Sequence, residues 1–198
     1  MKPQFNITEL VCTRISHDLI GNIGAFANAV ELMEDDDQEF LSEIKSTLKF
    51  SSTVLSSRLK FFRMVFGLSN SNLDSAEIVA KTCTDYIKTL NPNYPIELHI
   101  KAQDNQQELN RVLMLTVMTV ADLIIKGGSI DIGLNQKQII AKVTSDFPLA
   151  QSKIEAIRGI TKDELPDNLS QYAPVFCLRN MGANINLDTT DGLVMSIS

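Results

Sequence analysis

The chain has no tryptophan and only three tyrosines in 198 residues, so aromatic platforms for stacking bases are poorly supplied. Positive charge is also in deficit. Eighteen Lys and Arg stand against 24 Asp and Glu, a formal net charge of −6. A phosphate backbone demands a basic face, so nucleic acid is not an expected partner. The three cysteines, Cys12, Cys83 and Cys177, are odd in number and far apart. They offer neither metal-ligand spacing nor a complete disulfide set, and each reads as a small reduced core residue. No apolar run approaches the about 18 residues of a membrane span, and the opening MKPQFNITEL lacks the marks of a signal peptide. A cytoplasmic protein with no membrane partner is the simplest expectation. Internal repeats and low-complexity segments are missing as well.

What is present is ordinary globular composition, 44% hydrophobic and 21% charged, enough for a core in one domain or two small ones. Two long helical patterns come first. Asn6 or Thr8 can cap the first helix, with Glu9 in its opening turn. Apolar residues then recur by threes and fours at Ile7, Val11, Ile15, Leu19, Ile23, Phe26, Val30 and Met33. The acidic run Glu34 to Asp37 breaks the pattern and can cap a second helix. That helix carries Leu41, Ile44, Leu48, Leu55, Leu59, Phe62 and Phe66 and stops at Gly67. Both helices also hold apolar residues off the main stripe: Leu10, Ile20 and Leu32 on the first, Phe50, Val54, Phe61 and Met64 on the second. One antiparallel pair cannot cover so much surface. A homodimer, with two hairpins forming a four-helix bundle, solves the problem; cover by the C-terminal half is the alternative.

Residues 1–70 therefore read as a helical hairpin and residues 71–198 as a second domain. After the polar stretch LSNSNLD (Leu68 to Asp74) the pattern becomes mixed. Helices are expected over Ala76 to Leu90, Gln107 to Ile125, near Ser152 to Arg158 and near Leu169 to Met181. Strands are expected over Ile96 to Ala102, Ile130 to Leu134, Ile139 to Ser145, Asn184 to Asp188 and Leu193 to Ile197, the last two joined through TTDG. The fold class is α+β, with a mixed sheet covered on one face by helices.

The first helix poses a chemical question in the stretch ISHDLIGNIGAFANAVELM (Ile15 to Met33). At about 100° per residue, His17 falls opposite the apolar stripe, and Gly21, Gly24 and Asn28 fall within about 40° of it. Each glycine costs roughly 1 kcal/mol against alanine inside a helix. Solvent never requires glycine, whereas close approach of another backbone does. The row therefore reads as flat ground beside an exposed imidazole, although an ordinary surface histidine is the plainer alternative. With an ordinary pKa near about 6.5, an imidazole offers a neutral nitrogen at neutral pH, a competent nucleophile toward an activated phosphoryl group. Asp18 can hydrogen-bond a ring N–H, set the tautomer and offset the charge of a phosphorylated ring. A helix-surface carboxylate is its alternative reading.

Ser16-His17-Asp18-Leu19 resembles the phospho-acceptor box of sensor histidine kinases. The longer string CTRISHDLIGNIGA, with RLKFFRMVFG (Arg58 to Gly67) closing the second helix, resembles the ChpT-type histidine phosphotransferases of alphaproteobacteria. The resemblance covers the whole chain in element order. It implies a dimeric hairpin followed by an α/β sandwich like a degenerate histidine-kinase ATPase (Bergerat-type) domain. It also implies a phosphorelay intermediate, in which His17 accepts a phosphoryl group from the receiver domain of a hybrid histidine kinase and passes it to response regulators. One departure is Asn22, where these families usually place proline; a kink there would have to come from Gly21 instead.

A kinase of this architecture needs asparagines inside the helix QELNRVLMLTVMTVADLII and a D-x-G-x-G turn. The helix holds apolar residues and threonine there, with Asn110 only near its start, and Asp146-Phe147-Pro148 follows its strand without glycine. Gly127-Gly128 and Gly159 do not form a phosphate-cradling loop. ATP binding is therefore not expected, and no cofactor is, with Mg²⁺ held by the receiver. Positive charge beside an acidic receiver is expected from Arg14, one turn before His17, and from Lys45 and Lys49 on the second helix, unless these are merely solvated. The expected contact surface is thus Arg14, Gly21, Gly24, Asn28, Lys45 and Lys49 around the catalytic pair His17 and Asp18. His99 in IELHI reads as a solvent-side strand residue. Two competing functions remain, a non-catalytic adaptor that binds receiver or kinase domains and an autokinase with an unusual nucleotide site.

Overall fold

The computed structural model describes residues 6–33, 41–68, 71–101, 106–135, 138–160, 170–190 and 192–198. Helix α1 (Ile7–Glu31) begins where the Asn6 side chain accepts a hydrogen bond from the Thr8 amide, which stabilises an otherwise unpaired donor of the first turn. Helix α2 (Leu41–Phe66) returns beside it. Both helices form as expected, but their buried faces do not follow the expected stripes: α1 buries Leu10, Arg14, Leu19 and Ala29, and α2 buries Val54, Phe61 and Met64 while Leu59 stays exposed. The acidic run expected to cap α2 lies outside the described residues. The expected polar linker instead contains a short 3-10 turn (Ser71–Asp74) whose Leu73 is fully buried. Helix α3 (Ala76–Ile87), capped by Ser75 on the Ile78 amide, leads into strand β1 (Ile96–Ile100). Helix α4 (Gln107–Ala121), strands β2 (Gly128–Asn135) and β3 (Gln138–Thr144), helices α5 (Gln151–Gly159) and α6 (Ala173–Asn180), and strands β4 (Ile185–Asp188) and β5 (Leu193–Ile197) complete the order.

The five strands form one sheet in the order β1-β2-β3-β5-β4, parallel between β1 and β2 and antiparallel elsewhere. Register places Ile130 opposite Val143 and Ile132 opposite Ala141, and then Ala141 opposite Met195 and Val143 opposite Leu193. All of these are buried while their neighbours along each strand are less so, the alternation of a sheet covered on one face. Gly128 has φ +147 and abuts the Thr144 carbonyl, so only glycine fits at this entry to β2. The expected fold class, a helical hairpin followed by a mixed sheet with helices, is the observed one.

One hydrophobic core runs from the base of the hairpin into the sheet. It contains Leu19 of α1, Phe61, Phe62, Met64 and Val65 of α2, Tyr86 of α3, and the inner residues of α4 and the strands. Phe61 stacks on Tyr86 with ring centroids 4.0 Å apart, and both are fully buried. A smaller cluster joins Leu10 of α1 to Ala173 and Phe176 of α6. The C-terminal half thus covers Leu10, Phe61 and Met64, part of the excess expected to need a second hairpin. Elsewhere on the hairpin apolar residues are open: on the expected stripe Ile23 is 53% and Val30 42% exposed, and off it Ile20 is 68% and Phe50 50% exposed. The expected stripe is therefore not one buried face: Leu19 belongs to the core, whereas Ile7, Ile23, Val30 and Leu59 are exposed. Among the cysteines, Cys83 is buried and Cys177 intermediate, but Cys12 is exposed rather than a core residue.

Candidate functional site

Helix α1 carries His17 outward, its side chain 77% exposed. Gly21, Gly24 and Asn28 are exposed on the same helix, and a Cβ added at either glycine would meet nothing within 4 Å. The helix is continuous through Gly21 and Asn22. The Asn22 side-chain Nδ2 donates to the Asp18 carbonyl at 3.5 Å, which also accepts a hydrogen bond from Arg58 Nη1 of α2. Arg58 is itself fixed at the end of α3, donating from Nε to Thr89 Oγ1 (3.1 Å) and from Nη2 to the Thr89 carbonyl (2.8 Å).

Behind the exposed ring lies a chain of charges of alternating sign. His17 Nδ1 is 3.2 Å from Asp18 Oδ1, and Asp18 Oδ2 accepts from Arg14 Nε at 2.8 Å. The two terminal nitrogens of Arg14 both turn to Asp122, just past the end of α4, at 2.5 and 2.9 Å. Arg14 Nη1 also donates to the Gln171 carbonyl at 3.1 Å. Side-chain exposure falls from 77% at His17 to 12% at Asp18 and 5% at Arg14. Burial works against the charged Arg14 guanidinium, but Asp122 paired with it, and Asp18 beyond, raise its pKa above the ordinary value. Burial in turn pushes the Tyr86 phenol up. A polar cleft of about 280 Å³ opens here, lined by Arg14, Asp18, Arg58, Tyr94, Asp122 and Lys153 among others.

His17, Asp18 and the glycine row stand together as expected. Arg14 does not: it is 4% exposed and spends its donors on Asp18, Asp122 and Gln171, so it offers no free charge to a docking molecule. The reason is covalent reach, since its position on α1 faces the α/β part and not solvent. Lys45 and Lys49 are exposed. Because Arg58 meets Asp18 across the hairpin, antiparallel pairing sets them near the level of Glu31 and Asn28, roughly 15–20 Å along the helix from His17. His99 is 54% exposed on β1, 3.8 Å from Glu97. Asn110 is buried and donates to the Leu73 carbonyl at 2.7 Å. Among the described residues, no three His, Cys, Asp or Glu side chains are grouped as a metal site would require. Asp122 and Arg58 were not singled out from the sequence. The only hint of Asp122 is an acid closing an apolar helix, and no local spacing connects it to Arg14.

Protein phosphotransferase ChpT of Brucella abortus (strain 2308) is 32% identical over 93 residues, 44% of this chain and 42% of that protein. The match thus spans less than half the length of that curated relative. A solved structure described as a bacterial phosphotransferase aligns over 100% of this chain and 98% of its own, with a TM-score of 0.79 and 21% identity. The histidine kinase domain of a blue-light activated kinase from Erythrobacter litoralis EL346 covers 93% of this chain and 91% of its own, at a TM-score of 0.41 and 13% identity. No family model matches the chain. The resemblance to ChpT-type phosphotransferases is therefore upheld: the chain is similar in sequence to a ChpT phosphotransferase and shares the whole fold of a bacterial phosphotransferase. No helix among the described residues is long and apolar enough to cross a membrane.

Proposed function

We propose that the chain is a histidine phosphotransferase of a two-component phosphorelay, with His17 as the phosphoryl carrier. The observation that carries this reading is an exposed imidazole whose Nδ1 faces the Asp18 carboxylate at 3.2 Å, beside a helix face cleared by two glycines. A carboxylate on Nδ1 favours a proton there and leaves Nε2 as the nucleophile. The Nε2 lone pair attacks phosphorus of an aspartyl phosphate on the receiver domain of a hybrid histidine kinase. The bond from phosphorus to the acyl oxygen breaks, and the receiver carboxylate leaves with its electron pair. The ring, now bonded to phosphorus and still protonated on Nδ1, is cationic, and Asp18 offsets that charge. Reversal onto the aspartate of a response regulator returns the imidazole. Catalysis is then positioning plus electrostatics.

In this reading the energy arrives with the acyl phosphate, so the chain needs no ATP and is not an autokinase. The missing internal asparagines of α4 and the missing D-x-G-x-G turn support that. Mg²⁺ accompanies the receiver, and the relay works in the cytoplasm. The exposed apolar residues along the hairpin support a homodimer with a four-helix bundle at its centre.

Incubation with a phosphorylated receiver tests the proposal. Wild-type protein is expected to acquire acid-labile, base-stable label, and His17→Ala none. Equal label on His17→Ala would remove His17 as the acceptor. Tight receiver binding with no label on either protein would identify an adaptor instead.

A further inference from the structure

We infer that Asp122 and Arg14 are positioning residues for His17, so that the α/β part of the chain sets the tautomer of an imidazole it does not touch. The consequence for transfer rests on the phosphotransfer reading above; the geometry does not.

A guanidinium has a two-pronged edge made of its terminal nitrogens and a side edge at Nε. Left alone with Asp18 one turn away, Arg14 could turn its fork onto both carboxylate oxygens. Here Asp122 occupies that fork, binding Nη1 through Oδ2 and Nη2 through Oδ1. The Gln171 carbonyl takes a further hydrogen bond from Nη1. With the fork so occupied, Asp18 meets the side edge of the guanidinium, where Nε engages Oδ2 alone. Oδ1 is thereby left to face His17 Nδ1. On its backbone side, Asp18 is held by Arg58 through the carbonyl. Asp18 is thus held at its backbone from α2 and at its carboxylate, through Arg14, from the end of α4.

Asp122 has fixed supports of its own. Its backbone carbonyl accepts from Lys153 Nζ at 3.0 Å, and its amide donates to the Met118 carbonyl. The chain of contacts is continuous, from α5 through Asp122, Arg14 and Asp18 to the ring. Second partners of this kind decide which imidazole nitrogen keeps the proton. The retained α/β part would then have work to do in the absence of a nucleotide: it divides the Arg14 donors so that one oxygen of Asp18 stays on Nδ1.

Full-length protein labelled with ¹⁵N on histidine gives the test. In the wild type, the His17 ring is expected to be predominantly the Nδ1–H tautomer at a pH where it is neutral. In Asp122→Asn, and in the charge-free pair Arg14→Met with Asp122→Leu, the tautomer should shift toward the mixture of a free imidazole. Phosphorylation of His17 by phosphoramidate, a small donor that needs no docking surface, should slow about tenfold or more in the same variants. The double variant removes both buried charges together, which is often close to neutral for folding, and its melting curve reports that it is folded. A folded variant with the wild-type tautomer overturns the inference, whatever the relay assays show. If the tautomer follows the pair while wild-type protein takes label from neither phosphoramidate nor receivers, the positioning stands and the phosphotransfer reading falls.

Discussion

Gly21 and Gly24 show how a residue that weakens its own element can be explained by what must approach it. Nothing lies within 4 Å of a Cβ built on either one, and neither has a positive φ. Alanine is thus compatible with the fold, and Gly24→Ala should stabilise the protein by about 0.5–1 kcal/mol in urea denaturation. Gly24→Arg should fold equally well and leave the proposed dimer intact, yet slow the proposed phosphoryl exchange with receivers by an order of magnitude or more. A folded Arg variant that exchanges at the wild-type rate would remove the glycine row from the docking surface. Arg14 is the opposite case. Its sequence position beside His17 suggested a free cation, but its fork is spent on an aspartate 108 positions further along the chain. A charged residue on a helix face reads as solvated until its long-range partner is known.

Helix α1 divides into faces with different destinations. On a helical wheel Ile23, Phe26 and Val30 point roughly 120–180° away from His17, and on α2 Phe50 and Leu59 also remain exposed, at 50% and 52%. An apolar surface of this kind along the hairpin is what two-fold association would bury. In a two-fold bundle, each substitution acts twice across the interface. Ile23→Asp should therefore convert a dimer into a folded monomer, read by sedimentation velocity of the full chain. A wild-type protein that sediments as a monomer at tens of micromolar would remove the bundle. The start of α1 was legible because Asn6 acts locally, through a hydrogen bond within two residues, whereas α3 and α4 end at Ile87 and Ala121, short of the expected Leu90 and Ile125.

At the scale of the whole molecule, the hairpin and the α/β part unfold as one in this reading, because they share a core. Phe61 and Met64 are fully buried, and Phe62 and Val65 are 3% and 2% exposed. Cutting the chain at residue 70 would expose all four. Phe61→Ala should cost about 3–5 kcal/mol and lower the denaturant midpoint equally whether unfolding is followed by helix content or by tyrosine fluorescence. Separate midpoints for the two signals would show two independent units. The same junction carries the Arg14–Asp122 and Arg58–Thr89 contacts, so the chemistry of the site and the cohesion of the fold depend on one region.

Local pattern was enough for the element order, the fold class, the exposed imidazole and the glycine row, because caps, turns and a 3.6-residue period act over a few residues. The excess of apolar surface on the hairpin was also legible, being a count of side chains against the area one helix pair can cover. Which residues of that excess meet the C-terminal half, and which stay open, was decided only by tertiary packing. The buried chain from Asp18 to Asp122 belongs to the same class. A forked ion pair needs two side chains within about 3 Å, and nothing in the spacing of α1 and α4 along the sequence specifies that meeting. It follows from the crossing of two elements over a shared core, which exists only once the chain has folded.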